Sequence, residues 1–150
     1  MSKVIIYHAG AKDTFAVAAA TVATGWLPGQ LGTLDSTGKL VELAVTDKTM
    51  FVLADDNDEL NTPPTGSLVT CVYGAGTKIV IDHSEDVAAG SAVRAYDTVS
   101  GNPESGTPGA DLYVNSDAKW TTTVTGSVKA KLYQVPAASN NYGLGAILRF

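Results

Sequence analysis

Few side chains in this 150-residue chain are equipped for chemistry, and their spacing keeps them apart. The single cysteine, Cys71, sits in SLVTCVY among apolar neighbours. A reactive thiol needs an electropositive, accessible setting, so Cys71 reads as a small core residue. One cysteine also excludes an intramolecular disulfide framework and a cysteine-built zinc site. The two histidines, His8 and His83, lack the helical HExxH spacing of a zinc site. Asp82, His83 and Ser84 hold the residue types of a hydrolytic triad. Adjacent residues of a strand point to opposite faces, however, and a triad is assembled from spatial neighbours. His83 therefore reads as a strand-end residue in a polar turn.

The acidic run Asp55, Asp56, Asn57, Asp58 and Glu59 invites comparison with a calcium loop. The EF-hand pattern fails, because the sixth position is not glycine and Gly66 falls where the bidentate glutamate belongs. Irregular carboxylate sites for calcium do occur in β proteins, but a solvated loop is the stronger reading. Gly74-Ala75-Gly76 lacks the lysine-threonine pair and the following helix of a phosphate-binding loop. Trp26, Trp120, Tyr96, Tyr113 and Tyr142 could stack on sugars or on a partner, although aromatics in a β protein more often pack the core or its hairpins. No catalytic constellation emerges, which favours a binding or structural role over an enzyme.

The elements that must carry these residues are short strands between turns. Residues 3–7, 50–53, 91–97 and 143–150 read as strands. Residues 31–35 and 39–45 form a hairpin around Ser36-Thr37-Gly38, where Gly38 supplies the positive φ of the turn. Residues 67–73 and 77–82 flank Gly74-Ala75-Gly76 as a second hairpin candidate. Residues 111–115 and 119–124 flank Ser116-Asp117-Ala118. In residues 128–135, Val128, Ala130, Leu132 and Gln134 alternate with Lys129, Lys131, Tyr133 and Val135. Residues 14–24 could coil on their alanines, capped by Asp13 or Thr14. Phe15, Val17, Val22 and the threonines favour extended or irregular structure there. Residues 55–66 and 100–109 are long surface loops, and Pro63-Pro64 cannot sit in a central strand.

LDSTGKLVEL (34–43) is echoed by VNSDAKWTTT (114–123), and each follows a proline-glycine pair, Pro28-Gly29 and Pro108-Gly109. One hairpin design is used twice, at a period longer than that of solenoid repeats. The turn spacing predicts a single all-β domain over residues 1–150, a small β-barrel or β-sandwich with long surface loops and little or no helix. Residues 1–12 could serve as an extended N-terminal arm. The expected core is Ile5, Val41, Leu43, Val52, Val69, Cys71, Ile79, Ile81, Val93, Val114, Leu132 and Ile147.

Composition narrows the function classes. The formal net charge is −5, and no run of basic residues offers itself to phosphates, which argues against nucleic acid as a partner. Charged residues make up 17% of the chain, below the roughly 25% of an average soluble domain, as though another molecule covers part of the surface. The most apolar stretch, FAVAAATVATGWL, falls short of the roughly 20 residues of a membrane-spanning helix. The opening MSKVIIYHAG reads as a strand rather than a signal peptide, and the expected site of synthesis is a cytoplasm.

Three segments carry a resemblance. PGQLGTLDSTGKLVELA (28–44) resembles the strand, acidic turn, Gly-Lys and return strand of the small all-β decoration, or cement, proteins of tailed-bacteriophage heads. EDVAAGSAVRAYD (85–97) resembles their segment of valine, Ala-Gly and valine-rich strand, and NNYGLGAILRF (140–150) resembles their C-terminal strand. The likeness is diffuse but spans most of the chain, which departs from the simplest members by its insertion at residues 55–66. The resemblance implies a structural virion protein, commonly trimeric, bound to the outer capsid surface, where it stabilises contacts between major capsid proteins. It implies no catalytic residue, no cofactor and no metal. Shell contacts through terminal arms or edge strands map here onto the N-terminal segment, with Lys3, Val4, Ile5, Ile6 and Tyr7, and onto the long loops. Left unpaired, this apolar strand would be an aggregation hazard, so it is expected to pair within a trimer or against the shell. The competing expectation is a carbohydrate-binding β-sandwich of a tail fibre or secreted enzyme.

Overall fold

A computed structural model of the chain describes residues 3–8, 10–18, 28–47, 49–54, 66–82, 95–136 and 143–150. Eleven strands run through these residues: β1 (Lys3–His8), β2 (Ala11–Ala16), β3 (Leu31–Leu34), β4 (Leu40–Glu42), β5 (Phe51–Leu53), β6 (Leu68–Tyr73), β7 (Lys78–Asp82), β8 (Asp111–Val114), β9 (Trp120–Thr121), β10 (Ala130–Gln134) and β11 (Leu144–Leu148). They form a six-stranded sheet in the order β1-β7-β11-β10-β8-β9 and a five-stranded sheet in the order β2-β6-β5-β3-β4. Every strand pairing is antiparallel. The fold is all-β as expected, of the sandwich type and not a closed barrel. Among the described residues the one helical element is a 3₁₀ turn at Pro103–Ser105, and no helix is long and apolar enough to cross a membrane.

The echoed hairpins have the same construction. Asp35 Oδ1 accepts from the backbone N–H of Thr37 (2.8 Å) and of Lys39 (3.0 Å). Asn115 Oδ1 accepts from those of Asp117 (2.9 Å) and Lys119 (3.0 Å). Each is a side-chain acceptor that ties down its own turn. The fourth turn residue has positive φ in both, +78° at Gly38 and +56° at Ala118. The Ala118 methyl is buried in the core, which offsets part of the cost of that backbone conformation.

This equivalence reaches well beyond the hairpins. Thr33↔Val41 and Leu34↔Leu40 in one sheet match Tyr113↔Thr121 and Val114↔Trp120 in the other. Leu31↔Val52 and Gly32↔Phe51 match Asp111↔Lys131 and Leu112↔Ala130. Val52↔Val72 and Leu53↔Cys71 match Lys131↔Ile147 and Leu132↔Ala146. Lys12↔Val72 and Asp13↔Cys71 match Lys78↔Ile147 and Ile79↔Ala146. An isolated parallel bridge meets the same hairpin position in each unit, Leu40 from Val17 and Trp120 from Tyr96, and the first, with Ala18 N donating to Leu40 O (2.9 Å), brings the end of β2 against β4. The two sheets are thus one five-stranded unit built twice, with β1 added outside β7.

The candidate hairpin across Gly74-Ala75-Gly76 does not form. β6 belongs to the five-stranded sheet and β7 to the six-stranded one, so this turn is a corner between sheets. Thr77 is fully buried there. Its hydroxyl donates to Tyr73 O (2.9 Å) and accepts from Gly10 N (2.9 Å). Gly10 lies in the opposite crossover, β1 to β2, and the sequences of the two corners match, YHAGAK and YGAGTK. A Cβ at Gly10 would lie 2.9 Å from Tyr73 O. The strand alternation of residues 67–73 and 77–82 is real, but an unforeseen long-range partner redirects the chain at Thr77.

Of the expected core, Leu43, Val52, Val69, Cys71, Ile79, Ile81, Val114 and Leu132 are buried. Val41 and Ile147 are only half-buried, as corrections to that expectation. Val41 lies on strand β4, which ends the sheet order, and Ile147 shares a face with exposed Lys131. Val93 lies outside the described residues, as does the side chain of Ile5. The larger core cluster joins both sheets, with Leu31, Met50, Val52 and Val72 from one and Ile79, Ile81, Trp120 and Leu132 from the other. A smaller cluster occupies the opposite face of the five-stranded sheet, around Val17, Leu40, Leu53 and Cys71, with Phe15, Phe51 and Tyr73 in mutual ring contact.

Residues 11–16 are strand, so the coiled option for residues 14–24 fails over its described part; residues 19–24 lie outside. Of the expected strand 91–97, residues 91–94 also lie outside, and Tyr96 makes the bridge named above.

The duplicated turn makes two expectations concrete. Asp35→Asn keeps the turn, since Asn115 already serves in that role, but slightly lowers the midpoint of urea unfolding at neutral pH, because hydrogen bonds from the Thr37 hydroxyl and from the backbone of Lys39 and Thr37 hold the Asp35 carboxyl below its usual range. Gly38→Ala lowers stability by about 1–2 kcal/mol, the left-handed penalty with no burial to offset it.

Candidate functional site

The expected partner-binding residues Lys3, Val4, Ile5, Ile6 and Tyr7 all fall in β1. The strand is not a free arm in this chain. It pairs with β7 from Lys3↔Asp82 to Ile6↔Ile79, then shifts register before His8↔Lys78. β1 ends the sheet order, so its outer backbone edge faces away from the sheet. Strand alternation divides its side chains. Val4 is 3% exposed and Ile6 packs against the same core, so both anchor the strand. Tyr7 is 62% exposed and His8 is also outward. Of Lys3 and Ile5 only the backbone is described. What β1 offers a partner is therefore its outer backbone ladder and the Tyr7 ring.

A feature that sequence reading missed lies beside that edge. Lys78 Nζ sits 4.5 Å from the Tyr133 ring and 5.8 Å from the Tyr7 ring. A cation over two rings is held by their quadrupoles. Burial pushes the Tyr133 hydroxyl up to about 12, and Tyr7 adds to the shift. The phenol stays neutral and presents an uncharged aromatic surface. Alternation along 128–135 had placed Tyr133 with the lysines of that face, but the pairing with Lys78 needs the β7-β11-β10 order, which no local pattern reveals. On the same sheet Lys131 and Asp111 form an exposed ion pair, worth at most about 1 kcal/mol.

The polar groups elsewhere are largely engaged. An open depression of about 420 Å³ is lined by Tyr96, Asp97, Val99, Asn115, Asp117 and Lys119, among others. Asp97 Oδ1 accepts from Val99 N (2.8 Å) and Ser100 N (2.9 Å), and Oδ2 accepts from Asn115 Nδ2 (3.0 Å). These bonds hold its carboxyl below the usual range, so Asp97 organises a loop and is a poor general acid. Tyr96 Oη donates to Glu104 Oε1 (2.8 Å). Among the described residues no three histidine, cysteine or carboxylate side chains gather as a metal site. Cys71 is fully buried, and burial pushes its thiol up to about 12, which makes it inert at neutral pH. His83, the acidic run 55–59, Trp26 and Tyr142 lie outside the described residues.

Trp120 and Tyr96, two of the aromatics considered for sugar stacking, are 0% and 1% exposed. They pack the core and offer no face to a glycan. Trp120 occupies the place that Leu40 holds in the other sheet, which is a packing role.

Lys129 is the residue whose position sequence reading mistook. Alternation groups it with Lys131, which is exposed, yet Lys129 is fully buried just before β10. Its place matches that of Met50 before β5. Nζ donates to Val45 O (3.2 Å), to Asp47 O and to Ser127 Oγ (3.0 Å), reaching the turn that follows β4. Burial lowers its pKa below the ordinary 10.5, and the charge of Asp47 opposes that shift.

No protein-family model matches this chain, and no curated protein matches its sequence.

Two outcomes test this account. Lys129→Met strands two carbonyls and costs about 1–3 kcal/mol in urea unfolding at neutral pH. The wild-type chain also gains stability as pH rises from the lowered folded pKa toward 10.5, because the unfolded chain binds more protons across that window; the variant lacks this rise. Cys71 resists a thiol reagent in native protein and reacts fully once the chain is unfolded in urea.

Proposed function

We propose that this chain is a structural virion protein: a decoration protein that binds the outside of a tailed-bacteriophage capsid and stabilises contacts between major capsid proteins. It is made in the host cytoplasm and ends on the outer capsid surface. Its partners are the major capsid protein and further copies of itself, as a homotrimer, and it carries out no covalent chemistry. The observation that carries this reading is the build of β1. Val4 and Ile6 fix the strand in the core, while the Tyr7 ring is exposed and, among the described residues, no strand covers the outer backbone edge of β1. A strand held on one side and open on the other is suited to backbone pairing with a neighbour. Weak pairings repeated around a lattice gain strength from multivalency. The net charge of −5 suits a particle surface that must not adhere to nucleic acid.

The test is co-sedimentation with expanded capsids of the encoding phage. Wild-type protein is expected to pellet with capsids, and free sugars are expected to have no effect. Deleting residues 2–7 abolishes decoration. Because Val4 also serves the core, Tyr7→Ala is the companion variant, and it is expected to unfold like the wild type while decorating at least fivefold more weakly. Failure of the wild-type protein to bind capsids, or release by a monosaccharide, contradicts the reading.

A further inference from the structure

The Lys78 ammonium is a cation without an anion. Lys131 has Asp111, and Lys129 has three oxygens. Among the described residues Lys78 Nζ has neither a carboxylate nor a hydrogen-bond acceptor as partner, and it rests instead against the Tyr133 and Tyr7 rings. Its ladder neighbours, His8 and Ile147, supply no negative charge. Ring quadrupoles hold an ammonium on the sides they cover and leave its remaining N–H donors unanswered.

The Tyr133 hydroxyl beside it is a second unanswered donor. Its oxygen is buried without a hydrogen-bond partner among the described residues. Such a group bears its full desolvation cost, and in a native fold it calls for an explanation. The ring is seated by the backbone: a Cβ at Gly145 would lie 2.9 Å from Tyr133 Cζ, so a glycine makes room for it against the sheet. The register of β1 shifts between Ile6 and His8, which puts Tyr7 at the irregularity, and bulges of this kind re-aim side chains. Tyr7 lies close enough for its charge to raise the Tyr133 hydroxyl. Being largely exposed, it can turn aside without disturbing the core.

We propose that Lys78 Nζ and the Tyr133 hydroxyl together receive one carboxylate, an aspartate or glutamate side chain of the chain that pairs with β1, with Tyr7 turning to admit it. One ammonium beside a neutral phenol balances a single negative charge. A phosphomonoester brings roughly two charges, and nucleic acid a row of them. Both call for clustered cations, which this chain of net charge −5 does not gather at Lys78. A charge-assisted bond at one point fixes the register that backbone pairing along an edge leaves loose. This assignment rests on the decoration reading for the identity of the partner, while its chemistry stands on the geometry at Lys78.

The test has one arm without capsids and one with them. In the first, the amide resonances of the free protein are followed at neutral pH as sodium acetate is added, against sodium chloride at equal ionic strength. Acetate is expected to shift Tyr7, Lys78 and Tyr133 saturably, and chloride is not. Lys78→Met abolishes the response. Tyr133→Phe weakens it at least threefold without lowering the midpoint of urea unfolding, because it removes an unpartnered hydroxyl and no bond; a hydroxyl with a structural role would lower that midpoint. Acetate shifts equal to those of chloride overturn the inference, as do larger shifts with inorganic phosphate. In the second arm, carbodiimide treatment of decorated capsids joins Lys78 to an aspartate or glutamate of the capsid protein. Lys78→Met weakens decoration at least fivefold, and Lys78→Arg, which keeps the charge, retains most of it. Decoration untouched by Lys78→Met overturns the inference and leaves the decoration reading standing. Wild-type protein that binds no capsids removes that reading, and the acetate arm then decides the carboxylate site by itself.

Discussion

The joint at Thr77 decides how the rest of the molecule is arranged. Its buried hydroxyl links Tyr73 O to Gly10 N and so clamps together the two places where the chain changes sheets. Had the turn at 74–76 closed as a local hairpin, β6 and β7 would be neighbours in one sheet. The chain would then lack two separately assembled units. Instead β7 is released to pair with β11 and β1, and Thr77 itself joins that ladder, its carbonyl accepting from Leu148 N at 2.8 Å. Gly10 permits the close approach, since a side chain there would meet backbone. A buried hydroxyl with both donor and acceptor roles filled recovers the hydrogen bonds it lost to water and fixes a unique geometry.

Within this frame, a few substitutions between equivalent positions determine which face of each unit meets solvent. Val52 and Val72 turn one face of the five-stranded sheet into the shared core. Lys131 and Ile147 replace them in the six-stranded sheet, where Lys131 is exposed. Asp13 stands in β2 where β7 has Ile79, so β2 is polar along a stretch that β7 buries. Lys129 replaces Met50 and spans to the turn after β4, so a charged side chain stitches one unit to the other at a site where the first uses only a hydrophobe. The copies keep one backbone design and diverge at the side chains that set burial.

The all-β class, most strand positions and the reused hairpin are legible in the sequence, because each depends on local alternation and turn chemistry. Asp35 and Asn115 hold the same turn position in the two echoed segments, and both perform the same bonding. What local pattern does not encode is pairing. The apparent hairpin at 74–76 is a sheet-to-sheet corner because of a partner, Gly10, far away in sequence. Lys129 looks like an outward lysine, and only the carbonyls of a distant turn make its burial tolerable. The candidate site shows the same division. β1 is readable as an apolar strand, whereas its edge position and the Lys78 contact with Tyr7 and Tyr133 depend on strand order.

If this protein works through its sheet edges, the contact must be visible where it is made. A cryo-electron reconstruction of capsids carrying the protein, at a resolution that separates strands, is the most direct measurement. The account predicts density that continues the six-stranded sheet outward from β1 into a neighbouring chain. Bound protein that touches its neighbours only through the face of a sheet, with the outer edge of β1 bare, would contradict it.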